Sequence, residues 1–104
     1  MKEFKVIVEV VARQDMLDIR RYISKTLKDP VAAKRIYESM KAAILTLDHS
    51  PLRHAVVRDE PYASLELRRL FIENYTAFYL VDAKENEVHV IRVLYNRREW
   101  QNLL

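Results

Sequence analysis

The sequence predicts an α+β domain: an antiparallel sheet of about four strands, a two-helix hairpin packed on one face of it, and a short C-terminal helix. Three observations predict this. The stretch from Leu65 to Trp100 holds three short runs rich in branched and aromatic residues, parted by two polar interruptions. Residues 12–48 instead repeat their apolar side chains at helical spacing. Finally, the links between the three runs are so short that they can join only antiparallel neighbours, which makes a meander.

Phe4 to Val11 (FKVIVEVV) alternates imperfectly and reads as an opening strand, with Phe4, Val6, Val8 and Val10 on one face. Residues 12–27 then switch to helical period. Ala12, Met16, Ile19, Ile23 and Leu27 form a stripe with Tyr22 beside it, while Arg13, Asp15, Asp18, Arg20, Arg21 and Lys25 fill the other face. No good N-cap precedes this helix, so its first residue is unmarked. Asp29-Pro30 is a clear helix start, a side-chain acceptor followed by a proline whose missing N–H costs nothing there. The second helix runs to about Leu47, with Ala33, Ile36, Tyr37, Met40, Ile44 and Leu47 on one side. The very short link makes the pair an antiparallel hairpin, and both stripes can lie on the same sheet face. Ser50 precedes Pro51 and is pushed out of helical geometry, which ends the second helix.

Residues 49–64 are the least regular part and predict a surface connection across one end of the sheet, with room for a short strand at Ala55 to Val57. Leu67 to Ile72, Thr76 to Asp82 and Glu87 to Tyr95 are the three strands of the meander. Two arginines, Arg68 and Arg92, therefore sit inside strands otherwise built for burial. The tail from Asn96 onward predicts one or two helical turns, with Trp100, Leu103 and Leu104 packing back on the sheet. The chain has no glycine, so turns needing positive φ are expected to use asparagine: Asn74, Asn86 and Asn96 each follow or precede a strand.

At 104 residues the chain is expected to form one domain with a modest core. The absence of cysteine excludes disulfides and thiolate metal sites. The N-terminal apolar run is broken by Lys5 and Glu9, too short and too charged for a signal peptide or a membrane span, so a cytoplasmic protein is expected. Formal net charge is +3, and the whole excess lies in residues 12–48, which carry eight Lys/Arg against five Asp/Glu. The strands are charge-balanced, which weakens a simple nucleic-acid reading; the hairpin's excess reads first as a solvated face and second as a surface for an acidic partner. Without glycine no nucleotide-binding P-loop can form. His49, His54 and His89 lack ligand spacing, so neither a metal nor a cofactor is expected.

The residues in this order resemble the RelE/ParE superfamily of toxins from bacterial type II toxin–antitoxin pairs. Ala12, Asp15, Met16, Ile19 and Tyr22-Ile23 are similar to that family's A-x-x-D-[LM]-x-x-I-x-x-Y-I helix, and Asp29-Pro30 with Ala33 to its second helix start. Leu67-Arg68-Arg69, Asn74-Tyr75, Phe78-Tyr79, Ile91-Arg92-Val93-Leu94 and Arg97-Arg98-Glu99-Trp100 are similar to its sheet and C-terminal signature. The resemblance implies a growth-inhibiting toxin wrapped by a cognate antitoxin, in a hetero-oligomer, with no membrane partner. It implies one of two targets. RelE-like members cleave mRNA in the ribosome; ParE-like members poison DNA gyrase. For cleavage, Arg68, Arg92 and Arg97 are the candidate phosphate ligands, and Tyr95 the candidate proton-transfer group if its hydroxyl reaches the concave sheet face. Many RNA-cleaving relatives carry an arginine where this chain has Thr76, and a tyrosine or histidine close to the C-terminus where its nearest equivalents are Tyr95 and Trp100. Those departures lean the reading toward the ParE-like side, with a degenerate, non-toxic member as a further alternative. For Arg69 and Arg92 the competing reading is structural, pairing with acidic neighbours at a sheet edge.

Overall fold

The computed structural model describes residues 3–96, 100, 103 and 104. Its strands are β1 (Lys5–Val8), β2 (Arg68–Ile72), β3 (Tyr75–Asp82) and β4 (Glu87–Tyr95), and its helices are α1 (Val10–Arg21) and α2 (Pro30–Leu45). The sheet order is β1-β4-β3-β2. The meander is antiparallel as expected, but β1 runs parallel to β4, Lys5 beside Glu87 through Val8 beside Val90, so the sheet is mixed. The meander leaves the outer edge of β4 unpaired, and the opening strand fills it.

β1 is shorter than its apolar run. Helix α1 begins at Val10, because Val10 and Val11 (74% and 53% exposed) extend outward rather than into the sheet. Glu9 occupies the N-cap position without capping, since its carboxylate is drawn instead to His89 Nδ1 at 2.7 Å. The end of this helix holds a second departure from regular pattern: Tyr22–Thr26 form a π turn, closed by Leu27 N–H donating to the Tyr22 carbonyl. Helix α2 starts as expected, with the Asp29 carboxylate accepting from Ala32 N–H at 3.0 Å.

The apolar stripes pack on one face of the sheet. Ala12 and Met16 of α1 and Met40 and Ile44 of α2, with Leu47 just beyond, meet Leu70, Ile72, Ala77, Tyr79, Val88, Val90 and Val93. The other face was expected to be concave, with Trp100, Leu103 and Leu104 packing back on the sheet. It is covered: Val57 and Leu67 from the connection pack with Phe78 and Leu94, and Tyr62, Trp100, Leu103 and Leu104 close over them. Val57 N–H donates to the Leu67 carbonyl and Arg69 N–H to that of Ala55, so Ala55 to Val57 do add a short pairing to the edge of β2. The expected C-terminal helix lies outside the described residues, apart from Trp100, whose carbonyl accepts from the N–H groups of Leu103 and Leu104.

Asparagine takes only part of the role expected of it. Asn86 adopts positive φ, but so do Lys28, Ser50, Glu66 and Glu73, and the β2–β3 turn uses Glu73 rather than Asn74. Each such non-glycine residue costs roughly 1–2 kcal/mol of local strain, offset by the packing on either side.

Candidate functional site

Arg92 sits where β4 outruns its neighbour. β1 ends opposite Val90, so beyond that point the outer edge of β4 has no strand to bond. Asp15, projecting from α1, takes the missing strand's place. Its carboxylate accepts from Val93 N–H at 3.0 Å, from Arg92 Nε at 2.7 Å and from Arg92 Nη2 at 2.9 Å. The third guanidinium nitrogen, Nη1, donates to the Leu103 carbonyl at 2.6 Å. All three nitrogens are thus committed within the chain, and the hydrogen bonds to Asp15 push the Arg92 pKa up further. Helical periodicity placed Asp15 on the solvent side; its side chain is only 13% exposed. The one sequence signal for it was its place in the helix motif that carries the family resemblance.

Arg68 does a different task. It lies two strands from Arg92, roughly 10 Å at ordinary strand spacing, and its Nη1 donates to the carbonyls of Leu52 and His54 at 3.1 and 2.6 Å. Arg53 donates to the carbonyls of Thr46, His49 and Ser50, and the buried Tyr79 hydroxyl to that of Pro51 at 2.5 Å. The connection after α2 is therefore held by side chains gripping its backbone carbonyls, the groups that no regular ladder satisfies there. Burial pushes the Tyr79 hydroxyl up to about 12, against the lowering effect of Arg68 and Arg53. Burial, with Arg53 and Arg68 adding to it, lowers the pKa of His54. Sequence reasoning missed Arg53, which looks like an ordinary loop cation.

Tyr95 stands apart from both arginines. It packs edge-on against Tyr75, ring centroids 5.6 Å apart, at the mouth of a groove between the helix hairpin and the end of the sheet. Ile19, Tyr22, Ile23 and Leu27 from the end of α1 and Ile36 from α2 form its apolar wall, in a cavity of about 810 Å³. Burial, then the neighbouring Tyr95, Glu73 and Tyr22, raises the Tyr75 pKa. The candidates Arg68, Arg92 and Tyr95 are thus placed in three separate surroundings, and Arg97 lies outside the described residues. Glu3, Asp48 and His49 bring possible ligand atoms within 4.8 Å of one another, but Glu3 and His49 are exposed and paired backbone to backbone, and nothing in the cluster requires an ion. Among the described residues no helix is long and apolar enough to cross a membrane.

A family model described as the ParE toxin of the type II toxin–antitoxin system parDE matches residues 6–100. Among solved structures, the chromosomal ParDE system of P. aeruginosa is similar with a TM-score of 0.73 and 18% identity, covering 89% of this chain and 96% of that one. The RelBE2 complex of Mycobacterium tuberculosis follows at 0.67 and 20% identity, covering 89% and 98%. The archaeal RelE–RelB complex of Pyrococcus horikoshii OT3 gives 0.62 and 16%, covering 92% and 98%. No curated protein matches in sequence.

Proposed function

The chain belongs to the ParE toxin family of type II toxin–antitoxin systems, and from that premise we propose that it arrests bacterial growth by poisoning DNA gyrase, until a cognate antitoxin binds and neutralises it. The single observation that carries the gyrase side over RNA cleavage is the state of the sheet arginines. Metal-free cleavage of RNA needs fixed positive charge turned toward the phosphate and a nearby group to move protons. Here all three guanidinium nitrogens of Arg92 donate to Asp15 and Leu103, Nη1 of Arg68 holds the Leu52 and His54 carbonyls, and Tyr95 faces a different groove. The face that carries Arg92, opposite Phe78, is covered by Trp100, Leu103 and Leu104, while Arg68, opposite Tyr79, belongs to the face that the helices cover. Freeing Arg92 for a phosphate would leave the mostly buried Asp15 carboxylate without its cation and the Leu103 carbonyl without its donor, a cost of a few kcal/mol.

The test is inducible expression in a bacterium, following DNA, RNA and protein synthesis before growth stops, with purified chain added to a gyrase supercoiling assay. The expected result is early arrest of replication, a DNA-damage response and inhibited supercoiling while translation continues. Early loss of translation with mRNA fragments would instead make it a ribosome-dependent nuclease. Unimpaired growth would make it a non-toxic member of the family.

A further inference from the structure

We propose that Arg69 and Phe71, on the sheet face away from the helices, form a docking point for a protein partner that presents a carboxylate beside an apolar side chain. On the gyrase reading, on which the partner's identity rests, that partner is gyrase. The two side chains share a face because they stand two residues apart in β2, Arg69 opposite Phe78 and Phe71 opposite Thr76. The connection and the last residues fill this face around Phe78 and Leu94. Phe71 lies past that cover and is 61% exposed. β2 is the last strand of the sheet, and the short pairing with Ala55 to Val57 covers its edge only as far as Arg69. Phe71 therefore stands on an open rim among the described residues.

Arg69 is the unusual member of the pair. Its guanidinium lies over two rings, 5.0 Å from the centroid of Phe71 and 5.6 Å from that of Trp100. Stacking occupies the faces of a guanidinium and leaves its in-plane N–H groups in need of acceptors. Within the chain those acceptors are missing. Nε is buried without a hydrogen-bond partner, and among the described residues no carboxylate pairs with this arginine. Arg92 and Arg68 differ, since Asp15 and backbone carbonyls hold their donors. Arg69 is itself partly exposed, so an acceptor from outside can reach it. The surroundings select a protein carboxylate over a nucleic-acid backbone. Residues 65–104 carry six Lys/Arg against six Asp/Glu, and exposed Glu66 and Glu73 flank β2 at its two ends. A run of phosphates needs several cations, whereas one carboxylate is matched by one guanidinium. An exposed aromatic ring beside an arginine is also the composition in which protein interfaces concentrate their binding energy.

The experiment selects a random 12-residue peptide library displayed on phage against the immobilised full chain, after depletion on the Arg69→Gln/Phe71→Ala variant. Synthetic versions of the selected peptides are titrated by calorimetry into the wild type, Arg69→Gln, Arg69→Lys and Phe71→Ala, with a thymidine hexanucleotide as the phosphate probe. Phe71→Ala removes a ring that is mostly in solvent, and Arg69→Gln keeps the backbone bond to Ala55, so both should melt as the wild type does. If Arg69→Gln melts early, Phe71→Ala alone carries the test. The expected consensus places Asp or Glu next to an apolar residue, and its affinity falls about tenfold in Arg69→Gln and in Phe71→Ala. Arg69→Lys should recover only part of the loss, because an ammonium keeps the charge without the planar stack. The proposal is overturned by a basic or uncharged consensus, by affinity indifferent to either change, or by no peptide surviving the depletion. A hexanucleotide that binds more tightly than the peptides, and through Arg69, overturns it in favour of a phosphate ligand. In the supercoiling assay the two variants should need about tenfold more chain for half inhibition, and full potency in both would overturn gyrase as the partner. A wild type that leaves supercoiling untouched sinks the gyrase reading alone, because the peptide result stands or falls without it.

Discussion

Asp15 and Arg92 make a pair whose role is backbone replacement as much as charge. The two side chains are 13% and 22% exposed, and the carboxylate also holds an N–H that a longer β1 would have held. Asp15→Ala should therefore lower stability by on the order of 3 kcal/mol, as loss of one partner in a mostly buried pair does. Asp15→Asn should cost less, because an amide oxygen can still accept from Val93. Urea unfolding of both variants and of Arg92→Ala, read as a double-mutant cycle, checks this; near-additive effects would mean that the pair is not coupled. His89 gives a second residue-scale prediction. Its ring lies between Glu9, 2.7 Å from Nδ1, and Glu87, 3.0 Å from Nε2. The hydrogen bond to Glu9 is the largest cause that raises its pKa, opposed by burial and helped by Glu87. A raised folded pKa means that the charged form stabilises the fold fully below the unfolded value of 6.5 and that this stabilisation is lost as pH rises through the folded value. The urea midpoint should accordingly fall as pH rises above 6.5 and through the raised folded value. His89→Gln should flatten that part of the profile, and an unchanged profile would exclude the role.

At the scale of elements, the link between the helices carries strain that the sequence did not announce. Lys28 is exposed and adopts φ of +54° where the chain turns from the π turn into α2. Lys28→Gly should raise stability by about 0.5–1 kcal/mol, the relief of a left-handed non-glycine residue less glycine's extra chain entropy. A drop in the thermal midpoint would show that the lysine side chain contributes more than its strain costs. The same stretch shows where pattern reading works and where it stops. Asp29-Pro30 marked the start of α2 because the cap and the proline act within one turn of chain. The meander was legible for a similar reason: its strands are joined by short links. The π turn was not, since a helical stripe of apolar residues looks the same when one extra residue is wound into it. Nor was the parallel pairing of β1, which depends on an edge of β4 about eighty residues away. The apolar pattern of the strands picked out Arg68 and Arg92 as exceptional positions, and the family resemblance gave them a candidate role. Spacing alone does not contain their partners, because Asp15 lies 77 positions from Arg92 and the carbonyls held by Arg68 belong to an irregular segment.

For the whole molecule, both sheet faces are filled, one by helices and the other by the connection and the last residues. Removing Leu103 and Leu104 should uncover Phe78, Ile91 and Leu94 and take away the carbonyl that Arg92 Nη1 uses. The shortened chain should bind a hydrophobic dye and melt at lower temperature, as expected for loss of two partly buried leucines at about 1 kcal/mol or more each. An unchanged melting curve would mean that those leucines rest on the sheet without stabilising it. Trp100, the sole tryptophan, stacks on Phe78 at 5.2 Å and on Tyr62 at 5.6 Å, with the Arg69 guanidinium 5.6 Å from its ring. Its emission thus reports on one face of the sheet alone. A red shift that precedes the loss of helical circular dichroism would record the tail lifting off before the helices unfold, making visible by fluorescence an opening that no added label would be needed to follow.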